Sequence, residues 1–277
     1  MSSDGVLLVD KPAGLTSHDV VAEERRRLGR SVKVGHAGTL DPFATGLLLV
    51  LVGRATRAQR FLMALPKRYE TVARLGYTSS TGDVDGEIAP GRVPAEPFHM
   101  PTGRIAQRPP AYSAVRIGGR RAYSLARAGE AVELPKREVD VSSFTLLWRD
   151  GERAGFAIEC GSGTYVRSLI AGLGDAYCLE LRRTRIGPYD VAEQGRFVAL
   201  NDALDFLPAV GLAGADAKRA GHGVAITGTA LPRPGASSPQ PTSSALGTVR
   251  LVDADGLIAL AEPREDGTLK PIVGFRG

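Results

Sequence analysis

Short apolar runs bounded by glycine, proline or polar residues recur along the chain, and this pattern predicts β-strands. The runs cover residues 6–9, 47–52, 69–75, 139–148, 154–160 and 181–186. Apolar residues with helical spacing lie between them, at residues 16–29, 55–65, 121–127, 165–177 and 202–207. Strands and helices that alternate without a regular βαβ rhythm predict an α+β fold with a largely antiparallel central sheet.

The chain changes character after Pro208. A Pro/Ser-rich linker-like loop and two strands are predicted beyond it, at residues 232–244, 248–252 and 257–261. The pattern therefore predicts a large domain over residues 1–208 and a small β-rich module over residues 209–277.

Composition is consistent with a folded protein that binds a polyanion. Hydrophobic residues make up 43% of the 277 residues, enough for a substantial core, and the formal net charge is +5. The positive charge is unevenly spread, because residues 101–127 contain six arginines and no acid. A second basic cluster consists of Arg182, Arg183 and Arg185.

Several classes of function are excluded by what the sequence lacks. Cys160 and Cys178 show no CxxC pairing, and the four histidines are scattered, so we expect no metal site. No apolar run approaches 18 residues and no secretory signal is visible, so we expect a soluble, cytoplasmic protein that binds no membrane. Neither GxxxxGK[ST] nor GxGxxG occurs, which argues against a nucleotide hydrolase.

One carboxylate, Asp41, stands in a glycine-rich segment directly before an apolar run. Residues 35–46 read Gly-His-Ala-Gly-Thr-Leu-Asp-Pro-Phe-Ala-Thr-Gly. Glycines allow positive φ and proline fixes its own φ, so such a loop can hold a carboxylate in one direction. The alternative interpretation is an ordinary Asp-Pro turn.

The segment resembles the catalytic-aspartate motif of the bacterial tRNA pseudouridine-55 synthases, the TruB family. Four further motifs match in the expected order, at residues 6–17, 67–69, 109–114 and 161–169. The resemblance spans roughly residues 5–200 and implies the pseudouridine synthase fold, followed by a PUA-like RNA-binding module over residues 209–277.

The resemblance implies an isomerase that flips uridine 55 out of the T-loop of tRNA, cleaves its glycosidic bond and rejoins C1′ to C5. Asp41 is then the essential carboxylate, and the sequence leaves open whether it attacks C1′ or assists a glycal path. Tyr69 lies against the flipped uracil, although a tyrosine in this pattern is also a common core residue. Arg167 pairs with Asp41, where the alternative is a surface arginine.

Seven further residues are implied to bind the substrate. Lys11 and Pro12 form a wall of the site, and His36 stacks into the space that the flipped base leaves. Tyr165 lines the pocket, and Leu181 closes it. Arg120 and Arg121 contact the RNA backbone within a T-arm-gripping insertion at residues 89–130.

The chain departs from the family pattern in and before this insertion. Residues 92–106 are too few for the helix that usually precedes the motif at 109–114, and residues 89–111 are predicted to form an exposed, proline-rich loop. Arg116 stands where lysine is frequent, and Ser80 replaces an acid, although Asp83 remains.

Partners and cofactors follow from the same resemblance. We expect tRNA as the partner, no cofactor and a monomer. The short chain without a lysine-rich tail favours the stand-alone type, so we also expect no guide RNA. A non-catalytic RNA-binding protein is the main alternative. Asp41, Tyr69 and Arg167 argue against it, since binding alone needs no carboxylate in an RNA cleft.

Overall fold

A computed structural model describes residues 4–113, 115–128, 130, 134–227 and 247–276 of the chain. The linker-like loop predicted at residues 232–244 lies outside this part. The strands are β1 Gly5–Lys11, β2 Val34–Ala37, β3 Thr45–Val52, β4 Lys67–Leu75, β5 Tyr77–Ser79, β6 Ile88–Pro90, β7 Gly103–Gln107, β8 Arg116–Ile117, β9 Arg120–Arg121, β10 Arg137–Asp150, β11 Arg153–Cys160, β12 Ala176–Ile186, β13 Tyr189–Asp190, β14 Phe197–Ala199, β15 Ala209–Gly211, β16 Val249–Asp253, β17 Gly256–Pro263 and β18 Leu269–Gly274.

The helices are short and fewer than the strands. The α-helices are α1 Ser17–Leu28, α2 Gln59–Ala64, α3 Ala122–Arg127, α4 Val166–Ala171 and α5 Gly214–Gly221. Three 3₁₀ helices cover Gly53–Ala58, Val191–Glu193 and Asp202–Leu204.

A ten-stranded sheet dominates the described part of the chain. Its main path runs β14-β1-β3-β12-β4-β11-β10-β7, with β2 paired to β3 and β13 paired to β12. Within these described strands the pairs are antiparallel except β3 and β12, which run parallel over two residue pairs. The predicted α+β fold with a largely antiparallel sheet is confirmed.

Apolar side chains cover both faces of this sheet. Leu7 of β1 packs with Val20 and Val21, so α1 lies over one face. Val6 points the other way, because neighbouring strand residues face opposite sides, and it packs in the cluster that contains α2. A capping box begins α1, with the Thr16 side chain accepting from the Asp19 amide.

The second sheet packs against the first. It has the order β15-β16-β17-β18 in the described residues, and Leu257, Leu260 and Phe275 belong to the same core cluster as Val6. Arg57 also donates to the Gly274 carbonyl at 2.8 Å. A shared core therefore joins the segments on either side of residue 208, and the PUA-like character of residues 209–277 stays a prediction.

Several predicted elements have different bounds in the structure. The helix predicted at 165–177 covers only α4, because the chain turns at Gly172 and Gly174, the latter with φ of 126°, and Tyr177 already lies in β12. The segment 55–65 is split into a 3₁₀ helix and α2. The predicted loop at 89–111 contains β7, which pairs with β10 at the sheet edge.

Candidate active site

The loop that carries Asp41 joins β2 to β3 and is shorter than predicted. Gly35 and His36 lie within β2, so the loop proper begins at Gly38, with φ of 99°. Gly46 has φ of 106°, and a Cβ at this position would lie 2.2 Å from the Arg183 carbonyl oxygen. Glycine is therefore required where β3 passes β12.

Buried polar groups hold this loop in place from two sides. The Ser17 hydroxyl, at the start of α1, accepts from the Leu40 amide at 2.9 Å. The Lys11 ammonium, which is fully buried, donates to the carbonyls of Pro12, Leu15 and Pro42 at 2.8, 2.8 and 3.2 Å. Lys11 therefore ties the turn after β1 to the residue that follows Asp41, and burial lowers the pKa of its ammonium.

Arg167 lies beside Asp41, as predicted, and is only 3% exposed. Its Nη2 donates to Asp41 Oδ1 at 3.2 Å, and its Nε lies 2.9 Å from Oδ2 at ion-pair distance, outside hydrogen-bond geometry. Further bonds run from Nη1 to the Thr81 carbonyl at 2.7 Å and from Nη2 to the Tyr112 carbonyl at 2.9 Å. These contacts fix the plane of the guanidinium, and so the direction of the carboxylate.

A second carboxylate, Asp83, completes this ion-pair group. Its Oδ2 lies 3.1 Å from Arg167 Nη1, and its Oδ1 accepts from the Thr81 hydroxyl at 2.5 Å. The sequence alone does not reveal that Asp83 pairs with Arg167, because the two residues are distant along the chain. Arg167 thus bridges two carboxylates, of which Asp83 is buried and Asp41 keeps 34% of its side chain exposed.

The environment of Asp41 acts on its protonation in both directions. Desolvation by the surrounding protein raises the pKa of the Asp41 carboxyl, and the nearby Asp83 charge raises it further. Arg167 and Lys11 lower the same pKa by favouring the ionised form. The two cations therefore counter the effect of desolvation on this carboxylate.

Tyr69 lies on β4, 9% exposed, in the apolar cluster that also contains Leu40 and Leu181. Burial raises the pKa of its hydroxyl. It is paired in register with Arg183 of β12. Tyr69 is thus both a core residue and a neighbour of the Asp41 loop, so its two interpretations are compatible.

Arg183 is a site residue that the sequence analysis missed. It is 1% exposed, its Nε donates to the Leu47 carbonyl at 2.8 Å, and its Nη2 donates to the Gly38 carbonyl at 2.9 Å. The guanidinium thus bonds to the backbone on both sides of the Asp41 loop. Sequence showed only an arginine in a basic cluster, with nothing to separate a buried member from its neighbours.

The second basic cluster is therefore not one charged surface. Arg182 donates to both carboxylate oxygens of Asp10, at 3.0 and 2.6 Å, and Arg185 donates to Glu159 at 2.7 Å. With Arg183 buried, the three arginines have three separate environments.

The remaining predicted residues differ in how deeply they are buried. The His36 ring lies 5.3 Å from that of His18 in an edge-to-face arrangement, and burial lowers the pKa of His36 to about 4. Tyr165 precedes α4, where its amide and carbonyl bond to the Gln107 side chain. Pro12 is exposed.

Two arginines of residues 101–127 have acidic partners, although that stretch itself contains no acid. Arg120 is exposed but lies 2.9 Å from Glu130, and Arg104 lies 3.7 Å from Asp140. Both acids follow the arginine-rich stretch in sequence, so counting charges within that window hides them. The side chain of Arg121 lies outside the described part of the structure.

The described residues hold neither a metal-binding cluster nor a membrane-spanning helix. They contain no group of three or more His, Cys, Asp or Glu side chains placed to hold a metal ion. Within the same part of the chain, no helix has the length and apolar character needed to cross a membrane.

The fold resembles that of a solved structure. One chain of a crystal structure described as a Cbf5-Nop10-Gar1 complex superimposes with a TM-score of 0.67 at 26% identity, covering 98% of this chain and 84% of that chain. Residues 25–166 match the family model described as TruB family pseudouridylate synthase, N-terminal domain. Fold and match define the class as the pseudouridylate synthases.

Curated relatives narrow the class to one family. A tRNA pseudouridine synthase B of Thermobifida fusca is 42% identical over 99% of this chain and 99% of its own length. A protein of the same name from Aromatoleum aromaticum is 38% identical over 97% and 91%. The chain belongs to the TruB family of pseudouridylate synthases.

Proposed function

We propose that this chain converts uridine 55 in the T-loop of tRNA to pseudouridine, with Asp41 as the essential carboxylate. The observation that carries the proposal is the Asp41–Arg167 pair, set in a TruB-family fold. Arg167 is 3% exposed and contacts two carboxylates, an arrangement that orients catalytic groups. A surface that only binds RNA does not need such a buried ion-pair group.

The reaction rearranges bonds within one nucleotide. The N1–C1′ bond breaks, the uracil turns, and C1′ bonds to C5, while the C5 proton is lost and N1 gains one. No electron is gained or lost overall. An attack of the carboxylate on C1′ and an elimination to a glycal both use an ionised Asp41, which Arg167 and Lys11 favour.

In this proposal Arg167 positions the Asp41 carboxylate, and Asp83 helps to hold the Arg167 guanidinium in place. A guanidinium held by the carbonyls of Thr81 and Tyr112 cannot rotate freely, so Asp41 keeps one direction. In this proposal Tyr69 stacks on the flipped uracil, because it lies on the buried strand beside the Asp41 loop.

The remaining predicted residues line the path of the RNA. His36 fills the gap that the extruded base leaves, and its lowered pKa keeps the ring neutral at physiological pH. Lys11 and Pro12 form the wall next to the Asp41 loop, while Tyr165 and Leu181 complete the pocket.

We further propose that the enzyme acts as a monomer without guide RNA and grips the T-arm through residues 89–130. Arg120 and Arg121 belong to that segment, with Arg120 exchanging Glu130 for phosphate. Residues 209–277 form a PUA-like module that adds RNA contacts. The names of the curated relatives, tRNA pseudouridine synthases B, support tRNA as the partner.

The test is incubation of the protein with an unmodified tRNA transcript. Pseudouridine is mapped by chemical adduct formation and reverse-transcription stops. We expect one new stop at position 55 and none in a transcript with cytidine at that position. A stop at another uridine, or none with folded protein, contradicts the proposal.

A further inference from the structure

The exposed cations of this chain differ in whether a carboxylate lies next to them. Ion pairs hold Arg104, Arg120, Arg182 and Arg185, four of the arginines whose clustering in sequence suggested RNA binding. A cation that already faces a carboxylate gains less from a phosphate, because one partner must be exchanged for the other. Exposed cations without an acidic partner are therefore better placed to contact phosphates.

The end of α1 carries such cations. The last turn and the loop that follows contain four exposed cations, which we call the α1 basic patch: Arg25, Arg26, Arg30 and Lys33. Among the residues that the structure describes, no carboxylate lies within ion-pair distance of any of the four. Arg25 donates to the Val34 carbonyl at 2.9 Å, and Arg26 has a 3.4 Å bond to the Ala22 carbonyl.

Nearby acids do not neutralise the positive charge of the α1 basic patch. Glu24 pairs with Arg27 at 2.8 Å, which is why Arg27 is not counted in the patch. Glu23 is exposed one turn earlier in α1. The four patch cations therefore exceed the acids available to them.

Helix α1 connects the patch directly to the catalytic loop. Its first residue, Ser17, bonds through its hydroxyl to the backbone of Leu40, which precedes Asp41. Twelve residues at about 1.5 Å each place the end of α1 about 18 Å from that point. Val20 packs with Leu7, and Leu7 shares a face of β1 with Lys11 because their spacing is even.

We propose that the α1 basic patch binds backbone phosphates of the tRNA while the target uridine lies at Asp41. The inference rests on the function proposed above and adds a contact surface to it. The patch flanks the face of the sheet that carries the catalytic loop, at a distance that an RNA arm spans. Cations at a helix C-terminus also interact with the helix dipole, and the test must separate that effect from RNA binding.

The test compares two triple variants with the same change in charge. The patch variant is Arg26→Gln, Arg30→Gln and Lys33→Gln, which leaves Arg25 and its bond to Val34 in place. The matched control replaces three ion-paired arginines by glutamine: Arg149, Arg153 and Arg196. Affinity for unmodified tRNA transcript is measured over a range of salt concentrations, and conversion is measured in single turnover with enzyme in excess.

We expect the patch variant to lose about 0.7–0.9 in the log–log salt slope for each phosphate contact, so about 2–3 in total. At 0.15 M salt its Kd should rise on the order of 10- to 100-fold, with the single-turnover rate at saturation unchanged. The control variant should stay within about threefold of wild type. Replacing Arg26 and Arg30 by lysine should retain the wild-type slope, because phosphate contacts need the charge.

A patch variant with the slope and Kd of the control overturns the inference, and so does a lysine variant as weak as the glutamine variant. Melting temperatures report any loss of α1 stability. If the triple variant does not fold, Lys33→Gln alone, outside the helix, should still lower the slope by about 0.7–0.9. Wild-type protein that makes no pseudouridine contradicts the proposed function, whereas active wild type with an indifferent patch contradicts only this inference.

Discussion

Arg167→Lys tests how the Asp41 carboxylate is held. The substitution keeps the positive charge but replaces a planar group with five donors by an ammonium on a flexible stem. Arg167 contacts two carboxylates and the carbonyls of Thr81 and Tyr112. A lysine cannot reach all four groups, so the direction of Asp41 is no longer fixed.

The Arg167→Lys substitution should lower both the single-turnover rate and the free energy of unfolding. A misplacement of about 1 Å at a reacting group costs about 100-fold in rate, so we expect that loss in single turnover. Carbonyls left without a partner at this buried place should lower the free energy of unfolding by about 1–3 kcal/mol. For a chain of this size that corresponds to a Tm lower by about 2–12 °C.

The assay is single-turnover pseudouridine formation at saturating enzyme, with tRNA affinity and Tm measured on the same samples. Arg185→Lys is the matched control, because Arg185 is half-exposed and pairs with Glu159 near the surface, where ion pairs contribute about 0–1 kcal/mol. An Arg167→Lys variant with near wild-type rate refutes the positioning argument. A rate loss that disappears at higher enzyme concentration refutes it equally.

Three further predictions concern Asp83, Gly46 and Lys67. Asp83→Asn should slow single turnover about tenfold without weakening tRNA binding. It should also shift the acid limb of the pH–rate profile to lower pH, because the charge of Asp83 raises the pKa of Asp41. An acid limb that does not move contradicts this prediction. Gly46→Ala should yield little folded protein on expression and circular dichroism, since its Cβ would meet the Arg183 backbone at a φ of 106°; a wild-type Tm would show that β3 can move. Lys67 has its pKa lowered to about 7 by burial, so the unfolded state binds more protons above that pH and stability should rise from pH 7 toward 10. This rise in the free energy of unfolding is at most about 1.4 kcal/mol per pH unit, and Lys67→Met should abolish it. Denaturant unfolding of both proteins at pH 7, 8 and 9 measures the difference.

Much of the fold follows from local sequence, because apolar runs such as the one forming β3 and the capping box of α1 act within a few residues. Short edge elements escaped this reasoning. The segment of β7 has no distinctive apolar pattern, and it is a strand because β10 offers it backbone partners. Helix α4 is shorter than its apolar spacing suggests, since strand pairing with β4 draws Tyr177 into β12.

The candidate site divides in a similar way. Asp41 and Arg167 were expected to pair because motif resemblance carries information about contacts between distant residues, and the structure brings them together. The roles of Asp83 and Arg183 depend on which strands and turns meet, and no local pattern encodes that. Charge counting failed for Arg120 for the same reason, since Glu130 lies outside the window in which charges were counted.

The most direct measurement of the central claim is single-turnover conversion of an unmodified tRNA transcript by Asp41→Asn. The substitution keeps the size of the side chain but removes the charge that Arg167 holds in place. We expect no pseudouridine at position 55 above background, with tRNA affinity within a few-fold of wild type, because binding is spread over many phosphate contacts. Conversion by the Asp41→Asn variant at a rate comparable to wild type would contradict the assignment of Asp41 and the function built on it.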